Sequence, residues 1–411
     1  MMRKTFDLLG GWLVDGTGAP ARRDVLMRVE SGIIGSLEHV RRCDLNPEAA
    51  AGRSLVDLSH CTLLPGLVDC HVHLTMSGTE DQAVRPKQLT FTFEQMKPLM
   101  DERIMKHLAC GVLALRDGGD SAGHTLRYKN EWLPLLRSPL RLDAAGMAWR
   151  AKGRYGRLIG GAVDSGLTLA DCIARREPKT DHVKIINSGL NSLMEFGKET
   201  SPQFGPEELD LAVRTARARG QKTMVHANGK LPVGFAVEAR CASIEHGFFM
   251  GRENMERMAE LQIFWVPTAF SMRAFSRAMP PESLEAQISA QNLDHQLGQI
   301  ALARELGVPV ALGTDSGGFG LAHGKAFIEE LRLFMEAGYP VEEAVRCASL
   351  EGARLLGIER EVGQLKRGAG ATFVAVQGPP SELPDSLHRV ECVYVRGVRA
   401  LPQKACCRVT P

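Results

Sequence analysis

The sequence predicts an α/β protein, a (β/α)8 TIM barrel with a small β-sandwich domain formed from both termini. Three observations predict this fold. Eight apolar, strand-like runs lie between residues 61 and 318, helical stretches separate most of them, and both chain ends read as short strands and turns. Near-continuous apolar strands are typical of a parallel sheet covered on both faces, and eight β/α units are typical of a closed barrel. We predict the small β domain at 1–60 plus 360–411 and the barrel at 61–359.

The two ends of the chain share a pattern of short apolar alternation with Gly and Asp at the turns. This pattern is typical of antiparallel strands and hairpins. It occurs in GGWLVDGTG, DVLMRVESGIIGSL and SLVDLSH near the N-terminus, and in VGQLKRGAGATFVAVQG and VECVYVRGVRAL near the C-terminus. The sequence therefore predicts that both ends contribute to one small β domain.

The eight apolar runs predict the barrel strands in chain order. They are CTLLPGLVDCHVHL (61–74), GVLALRDGG (111–119), LRLDAAGMAW (140–149), HVKIINSG (182–189), KTMVHANG (222–229), ASIEHGFF (242–249), IFWVPTAF (263–270) and VPVALGTDSGG (308–318). A helix is predicted at 206–220, where Pro206 begins the stretch and Gly220 ends it.

Composition and charge restrict the function. Of the 411 residues, 44% are hydrophobic and 24% are charged, and the net charge is +2, so no strong field attracts nucleic acid or an anionic membrane. The N-terminus lacks a signal-peptide apolar region, and we expect a cytoplasmic protein. The ten cysteines are scattered without a CxxC pair, which favours buried free thiols over disulfides or a cysteine-bound zinc. Cys70 is expected to be one of these core thiols.

Ionisable residues end several of the predicted barrel strands, where TIM barrels carry their chemistry. Residues i and i+2 of a strand face the same side, so two histidines of the first run point together and can chelate one divalent ion. The candidate ligands on five strands are His71, His73, Lys184, His226, His246 and Asp315. Six such residues at equivalent heights predict a metal site.

Each of these residues alone has a simpler interpretation. A single HxH pair is weak evidence for a metal, and His226 or His246 is more often a hydrogen-bonded core histidine. Asp315 is also suited to cap a helix, and Lys184 is also suited to extend its ammonium to solvent from a strand end. The prediction therefore depends on the joint pattern.

The chain resembles the amidohydrolase superfamily nearly from end to end. The matching motifs are LVDGTG, LLPGLVDCHVHL, GVLALRDGG, HVKI, VHANG, IEHG, GTDSGG and GQLKRGAGATFVAV. Within the superfamily the chain is most similar to the imidazolonepropionase-related amidohydrolases, especially the binuclear branch with the Xaa-Pro and Xaa-Arg/Lys dipeptidases. Lys184 in HVKI is the residue that separates this branch.

The resemblance implies a role for each candidate ligand. His71, His73 and Asp315 would hold one metal, His226 and His246 a second, and an N-carboxylated Lys184 would bridge them. A carbamate made from CO2 has two oxygens, whereas a free ammonium has no lone pair to bind a metal. Imidazole and carboxylate favour two divalent zinc ions, although manganese, cobalt or iron stays open.

The resemblance also implies a reaction for the barrel, which would be a metal-dependent hydrolase domain. A hydroxide bridging the two metals would attack an amide or related carbonyl, and Asp315 would act as general base and then as general acid. We expect a metal-dependent amidohydrolase that cleaves a carbon–nitrogen bond in a small molecule. N-acyl amino acids and dipeptides are the expected substrates.

Candidates for substrate contacts follow the strands. The stretch AWRAKGRYGRLIGG after the third strand contains Arg154 and Tyr155, and its basic cluster is suited either to a carboxylate or to solvent. Asn187 and Asn228 follow their strands, and His323 either lines the pocket or caps the next helix. The segment 270–287 is interpreted either as a lid or as an ordinary surface helix pair.

There are two alternatives, one of them enzymatic and the other from a non-enzymatic class. A mononuclear deaminase or imidazolone-type hydrolase is disfavoured, because the deaminases carry a glutamate three residues after the strand-five histidine and this chain has Gly229 there, while the ring hydrolases lack Lys184. A metal-free scaffold homologue is disfavoured by the complete set of ligands. We expect no nucleic-acid or membrane partner, and a homo-oligomer is an open possibility.

Overall fold

A computed structural model describes residues 5–40, 54–81 and 83–401. Cys43, Cys406 and Cys407, and with them parts of the predicted small domain, lie outside the described residues. The strands are β1 (Phe6–Leu13), β2 (Arg22–Glu30), β3 (Ile33–His39), β4 (Ser54–Pro65), β5 (Leu67–Val72), β6 (Val112–Asp117), β7 (Arg141–Ala144), β8 (Ala148–Arg150), β9 (Gly160–Ala162), β10 (His182–Ile186), β11 (Lys222–Ala227), β12 (Ser243–His246), β13 (Phe264–Val266), β14 (Phe373–Gln377), β15 (Val390–Val395) and β16 (Val398–Leu401).

The helices lie mostly between the barrel strands. They are α1 (Val84–Gln88), α2 (Phe93–Ala109), α3 (His124–Arg127), α4 (Leu169–Arg175), α5 (Pro206–Ala218), α6 (Lys230–Glu238), α7 (Arg252–Leu261), α8 (Phe270–Ala278), α9 (Leu284–Leu306), α10 (Lys325–Glu336), α11 (Val341–Arg346) and α12 (Gly352–Leu356). The helix predicted at 206–220 is confirmed, and Gly220 follows it with a φ of 69°.

Parallel strands form the predicted barrel. One sheet has the order β5-β6-β7, and a second runs β13-β12-β11-β10-β8-β9. The segment around residues 308–316 closes the ring between β13 and β5. Its Ala311 N donates to Trp265 O at 2.9 Å, and Cys70 N donates to Leu312 O at 2.9 Å. Parallel bridges join Trp265 to Val310 and Val72 to Ser316 on the same two sides.

Two predicted runs are each divided between two strands. The run 61–74 contains the end of β4 and all of β5, separated at Gly66, where a Cβ atom would lie 2.7 Å from Leu113 Cδ1. The run 140–149 is divided into β7 and β8 around Gly146, which has a φ of 63°. Because β7 pairs with β6 while β8 pairs with β10, this third run connects the two barrel sheets.

The terminal strands form one sheet with the order β16-β15-β14-β4-β1-β2-β3. It is drawn from both ends of the chain, with β4 parallel to β1 and antiparallel to β14. The sheet curls so that its edge strand β3 contacts the segment before β14, where Ile34 N donates to Ala369 O at 2.9 Å. A core that includes Met27, Leu63 and Phe373 fills the space inside this sandwich-like fold. The division at residues 60 and 359 stays a prediction, and β4 runs through the first of these points.

Strand β10 illustrates how the fold presents the site. Val183 and Ile185 belong to the main hydrophobic cluster together with Leu209 and Ala212 of α5. Since side chains alternate along a strand, Lys184 between them faces the opposite side, the barrel interior. Cys70 is likewise fully buried on β5, as expected of a core thiol.

Among the residues that the structure describes, no helix combines the length and the apolar character needed to cross a lipid bilayer.

Candidate active site

The six predicted metal ligands meet at one end of the barrel. They line a cavity of about 120 Å³, together with Tyr155, Asn228 and apolar residues of the surrounding loops. Lys184 and the four histidines are buried. The ends of five strand segments therefore bring imidazole, amine and carboxylate groups to a single point.

His71, His73 and Asp315 form the tightest group. Their ligand atoms all lie within 4.8 Å of one another, which is a geometry that could hold a metal ion. Asp315 Oδ1 lies 3.3 Å from His73 Nε2 and 3.6 Å from His71 Nε2. Asp315 reaches this position from a backbone with a φ of 57°, a conformation that non-glycine residues adopt rarely and that is often found at functional sites.

Lys184 and the other two histidines complete the ring around the cavity. Lys184 Nζ lies 3.4 Å from His71 Nε2. The ring of His246 is 5.0 Å from that of His71 and 4.5 Å from that of His226, measured between centroids. Lys184 thus points inward, toward the imidazoles, rather than outward to solvent.

Each imidazole has one ring nitrogen held by the protein. His71 Nδ1 is 2.8 Å from Glu245 Oε2, His73 Nδ1 is 2.9 Å from Gly119 O, His226 Nε2 is 3.0 Å from Gly189 O, and His246 Nδ1 is 2.6 Å from Thr268 Oγ1. Such contacts fix the orientation and the tautomer of histidine ligands in metal sites, since the opposite nitrogen is then left with its lone pair.

Burial sets the charge state of these groups. It lowers the pKa of His226 to about 4, with a further decrease from the charge of Lys184, and it lowers the pKa values of His71 and His246 well below the usual range. For His73, burial lowers the pKa, but the hydrogen bond to Asp315 and the charges of Asp315 and Asp117 together outweigh it, so the pKa is raised. Neutral imidazole is the form that binds metal, so this donor set fits divalent cations.

The pKa values of Lys184 and Asp315 are both lowered, which favours a neutral amine in one case and an ionised carboxylate in the other. Burial lowers the pKa of Lys184 to about 8, which makes the neutral amine accessible near physiological pH. Burial tends to raise the pKa of Asp315, but the hydrogen bond to His73 and the nearby positive charges lower it to about 2. The cavity therefore contains an ionised carboxylate beside an amine that readily loses its proton.

A buried ion pair beneath the site was not predicted from the sequence. Glu245 accepts from Arg116 Nη2 at 2.8 Å and from His71, and it also accepts from Ser243. Arg116 Nε donates to Cys70 O at 2.7 Å, so this pair connects β5, β6 and β12. Two opposite charges inside the apolar runs LRDGG and IEHG were the signal that could have revealed it.

Glu245 and His246 are neighbours that both face the site. Strict alternation would place them on opposite sides of β12, but His246 has a φ of 67°, which turns its side chain back into the cavity. The side chain of Glu245 then supports His71 from below, while His246 lies at the cavity wall.

The structure separates the four candidate substrate contacts. Tyr155 and Asn228 line the cavity, and the Tyr155 ring lies 5.4 Å from that of His226. Arg154 instead donates to Ser201 O at 2.8 Å, outside the cavity. His323 is buried between His107 and Met76 O, at 3.2 and 2.8 Å, and it neither lines the cavity nor caps a helix.

Two further candidates lie near the site. Asn187 is fully buried, and its side chain bonds to the backbone of Pro232 and Phe204 rather than facing the cavity. The segment 270–287 forms α8 and the start of α9, which corresponds to the helix-pair alternative. Even so, Ser271, Met272 and Phe275 of α8 line the cavity.

The sequence profile of the amidohydrolase family matches residues 62–399. Ochratoxinase from Aspergillus niger is 32% identical over 408 positions, which cover 91% of this chain and 82% of that protein. Imidazolonepropionase from Acinetobacter baumannii is 22% identical, with 78% of this chain and 80% of that protein covered. The crystal structure of a Xaa-Pro dipeptidase with methionine bound in its active site has a TM-score of 0.80 and 26% identity, covering 96% of this chain and 99% of that chain. The likeness therefore includes both the terminal sheet and the barrel.

Proposed function

Because the chain belongs to the amidohydrolase family and is a hydrolase of carbon–nitrogen bonds, we propose that it cleaves the amide bond of N-acyl amino acids or dipeptides with the aid of two divalent metal ions. Zinc is the metal we propose, since three neutral imidazoles, one further imidazole and a carboxylate surround the cavity. The proposal also includes an N-carboxylated Lys184, whose carbamate would help to hold the ions.

One observation supports the proposal above all others. The ligand atoms of His71, His73 and Asp315 lie within 4.8 Å of one another. Lys184 Nζ approaches this group from another strand and lies 3.4 Å from His71 Nε2. His226 and His246 stand beside them with one ring nitrogen each held by the protein. We propose that the first three residues hold one ion and the two other histidines hold the second. Bound divalent cations supply Lewis acidity for a carbonyl oxygen and lower the pKa of water.

Lys184 has the properties that carboxylation requires. Its amine is buried and its pKa is lowered to about 8, so the neutral, nucleophilic form is accessible. In the proposed modification the amine nitrogen forms a bond to the carbon of CO2 and releases one proton. The product is a carbamate with one negative charge and two oxygen atoms in place of an ammonium.

Asp315 is the proposed proton carrier. Its carboxylate is ionised at every pH well above 2, so it can accept a proton from the attacking water. The water oxygen forms a bond to the carbonyl carbon, and the proton passes through the Asp315 carboxylate to the leaving nitrogen as the carbon–nitrogen bond breaks. The products are a carboxylic acid and an amine, so atoms and charge balance.

The name of one structural neighbour supports the substrate class. One structural neighbour is a Xaa-Pro dipeptidase, and its crystal structure contains a methionine in the active site. That enzyme's name describes cleavage of a bond between two amino acids. We propose that the present chain also accepts substrates in which an amino acid forms one side of the scissile amide.

A substrate screen tests the proposal. Protein produced with zinc and bicarbonate is incubated with N-acyl amino acids, dipeptides and cyclic ureides, and amine release is measured. We expect hydrolysis in the first two groups and a metal content of about two ions per chain. One ion per chain with turnover of cyclic substrates only would favour the mononuclear alternative. A protein without metal or hydrolysis would favour the scaffold alternative.

Other expectations from the sequence stay predictions. They are the cytoplasmic location, the absence of nucleic-acid and membrane partners, and the open possibility of a homo-oligomer. The small-molecule substrate is part of the proposal above.

A further inference from the structure

A second cavity, which we call the outer cavity, lies beside the metal-ligand cavity. Its volume is about 380 Å³, and its wall is mainly apolar. The residues on which the following argument depends are Met76, Arg85, Gln88, Leu158, Phe275 and Phe319. Phe275 of α8 also lines the metal-ligand cavity, so the two spaces share a wall residue. The two cavities are therefore adjacent at Phe275.

The outer cavity is suited to an aromatic group. Phe275 and Phe319 line it and stack with their centroids 5.1 Å apart and their planes within 14°, so two aromatic rings are held in a fixed orientation in its wall. Leu158 leaves 43% of its surface exposed at the rim, a large value for a leucine. Exposed apolar residues around a concave site often mark a binding surface, because a ligand covers them.

Arg85 gives the outer cavity a positive charge that lacks an acidic partner. Its guanidinium contacts Met76 Sδ, 3.9 Å from Nη2, and within residues 5–40, 54–81 and 83–401 no carboxylate lies within ion-pair distance of it. The side chain is half-buried on the short helix α1. Arginine binds carboxylates through two parallel hydrogen bonds, so this position is suited to an anionic group of a ligand.

Gln88 lines the outer cavity as well, and its side chain is half-buried in the wall. Its Oε1 atom is shielded from the cavity and has no hydrogen-bond partner in the part of the chain that the structure describes. The positive charge of Arg85 is therefore the feature of this wall that a ligand can contact.

Arg85 lies in the wall of the cavity that adjoins the metal-ligand cavity. Phe275 lines both cavities, and Tyr155 and Asp315 line the metal-ligand cavity beside it. A single substrate can therefore place its scissile amide near Asp315 and an acidic group near Arg85.

From these contacts we infer that the preferred substrates are N-acyl amino acids or dipeptides with a large aromatic side chain, that this side chain occupies the outer cavity, and that their free carboxylate pairs with Arg85. This inference rests on the proposed amide hydrolysis and adds the substrate class to it. Arg85 acts here as a specificity-determining residue that contacts the substrate away from the reacting atoms.

Kinetics with matched substrates test the inference. N-acetyl-L-phenylalanine, its carboxamide and N-acetyl-L-alanine are compared with the wild-type enzyme and with Arg85→Met, Arg85→Lys and Lys87→Met. Lys87 lies on the same helix, is exposed and does not line the outer cavity, so it is the matched control. We expect the wild type to favour the phenylalanine compound over the alanine compound by about tenfold or more in kcat/KM.

The variants separate charge from packing. Arg85→Met should raise KM for the acid about tenfold with little change in kcat, and should leave the carboxamide unaffected, because only the acid loses an ion pair. Arg85→Lys should restore part of the loss, and Lys87→Met should behave as the wild type. Equal effects of Arg85→Met on acid and carboxamide, or no preference for the aromatic compound, would overturn the inference while leaving the proposed hydrolysis intact.

A binding measurement keeps the two proposals distinguishable if no amide is hydrolysed. Calorimetric titration with 4-phenylbutyrate and with 4-phenylbutyramide reports on the outer cavity without turnover. Binding of the acid that weakens about tenfold in Arg85→Met, but not in Lys87→Met, supports the outer cavity as an aromatic carboxylate site even though the proposed function has failed. Identical binding to the wild type and to Arg85→Met contradicts it.

Discussion

At the scale of single residues, the candidate site combines groups whose charges oppose one another at close range. Asp315 stays ionised because the hydrogen bond to His73 and the charges around it outweigh the cost of burial. Lys184 tends to lose its proton for the opposite reason, since burial dominates its surroundings. An anion and a potentially neutral amine in one cavity are suited to divalent cations, which need anionic and neutral donors together.

The Asp315→Asn variant tests the proton carrier. Asparagine has nearly the same shape but cannot accept a proton, so kcat should fall by about 10³-fold while the fold persists. Turnover of the best N-acyl substrate measures the effect, and thermal unfolding with metal analysis serves as the control. Activity close to that of the wild type would remove Asp315 from its proposed role.

Lys184→Ala tests the proposed carbamate. The variant should lose bound metal and activity together, because the carbamate oxygens that would hold the ions are absent. Short carboxylic acids such as formate or propionate, supplied at high concentration, should restore part of the activity by filling the space. An alanine variant that keeps two metal ions without added acid would contradict the bridging role.

Glu245→Gln tests the residue that holds His71. Glutamine can still accept from His71 Nδ1, but it carries no charge to balance Arg116, which lies 2.8 Å away. We expect a 10- to 100-fold loss of metal affinity, as is typical when the partner of a histidine ligand is changed. Competition with a chelator measures the affinity directly, and an unchanged zinc affinity would assign Glu245 to stability alone.

The sequence was most informative for residues that follow strand alternation. His71 and His73 are two positions apart and do face the same cavity, as the pattern predicted. Glu245 could not be found in this way, because its role depends on the positive φ of His246 and on an arginine from another strand. The positions of Arg154 and His323 could not be predicted from the sequence either. Loop conformation decides where Arg154 lies, and contact with the buried His107 decides where His323 lies.

At the scale of secondary-structure elements, α8 is the part of the cavity wall whose anchoring is clearest. Its first turn is held by Glu330 of α10, which accepts from Ala269 N at 2.9 Å and from Phe270 N at 2.7 Å. Glu330 is fully buried, and burial raises its pKa from 4.5 to about 8. The helix that carries Phe275 is therefore fixed at its N-terminal end rather than hanging over the site as a loose lid.

This contact predicts a pH dependence of stability. The folded-state pKa of Glu330 is raised, so the folded protein keeps a proton that the unfolded chain loses between about pH 4.5 and 8. Its contribution to stability is present at low pH and is lost as the pH rises through that window, at about 1.4 kcal/mol per pH unit at most. Denaturant unfolding of the wild type and Glu330→Gln is measured from pH 5 to 8. The free energy of unfolding of the wild type should decrease with pH relative to that of the variant. Parallel pH profiles would contradict the assignment.

Element boundaries were less predictable than element types. All eight apolar runs contribute to the barrel, but the first run belongs half to the terminal sheet because Gly66 packs against Leu113 with no room for a side chain. The third run is interrupted at Gly146 because the positive φ of this residue is incompatible with an extended strand. Both breaks lie at glycines, whose conformation depends on contacts made far away in the chain.

At the scale of the whole molecule, metal binding should contribute to stability. The six candidate ligands come from five strand segments around the barrel, so ions bound among them would connect segments that are otherwise joined by hydrogen bonds and packing. A ligand that binds only the folded state at 100 times its Kd adds about 2.7 kcal/mol. Removal of metal by a chelator should therefore lower the Tm, and adding back zinc should restore it.

Stoichiometry is the matching control for that experiment. The Tm should be fully restored at about two equivalents of zinc per chain, and His226→Ala should reduce the requirement to about one. Full restoration of the wild type by one equivalent would contradict the binuclear proposal while leaving the family assignment untouched.

The terminal sheet has a consequence for synthesis of the chain on the ribosome. Strand β4 pairs with β14, and Thr62 Oγ1 donates to Gly378 O across a separation of 316 positions. One edge of the N-terminal strands must stay unpaired until almost the whole barrel has been translated, and an unpaired strand edge is a template for wrong association. The nascent protein is thus most in need of chaperone protection late in translation, just before its last strands emerge.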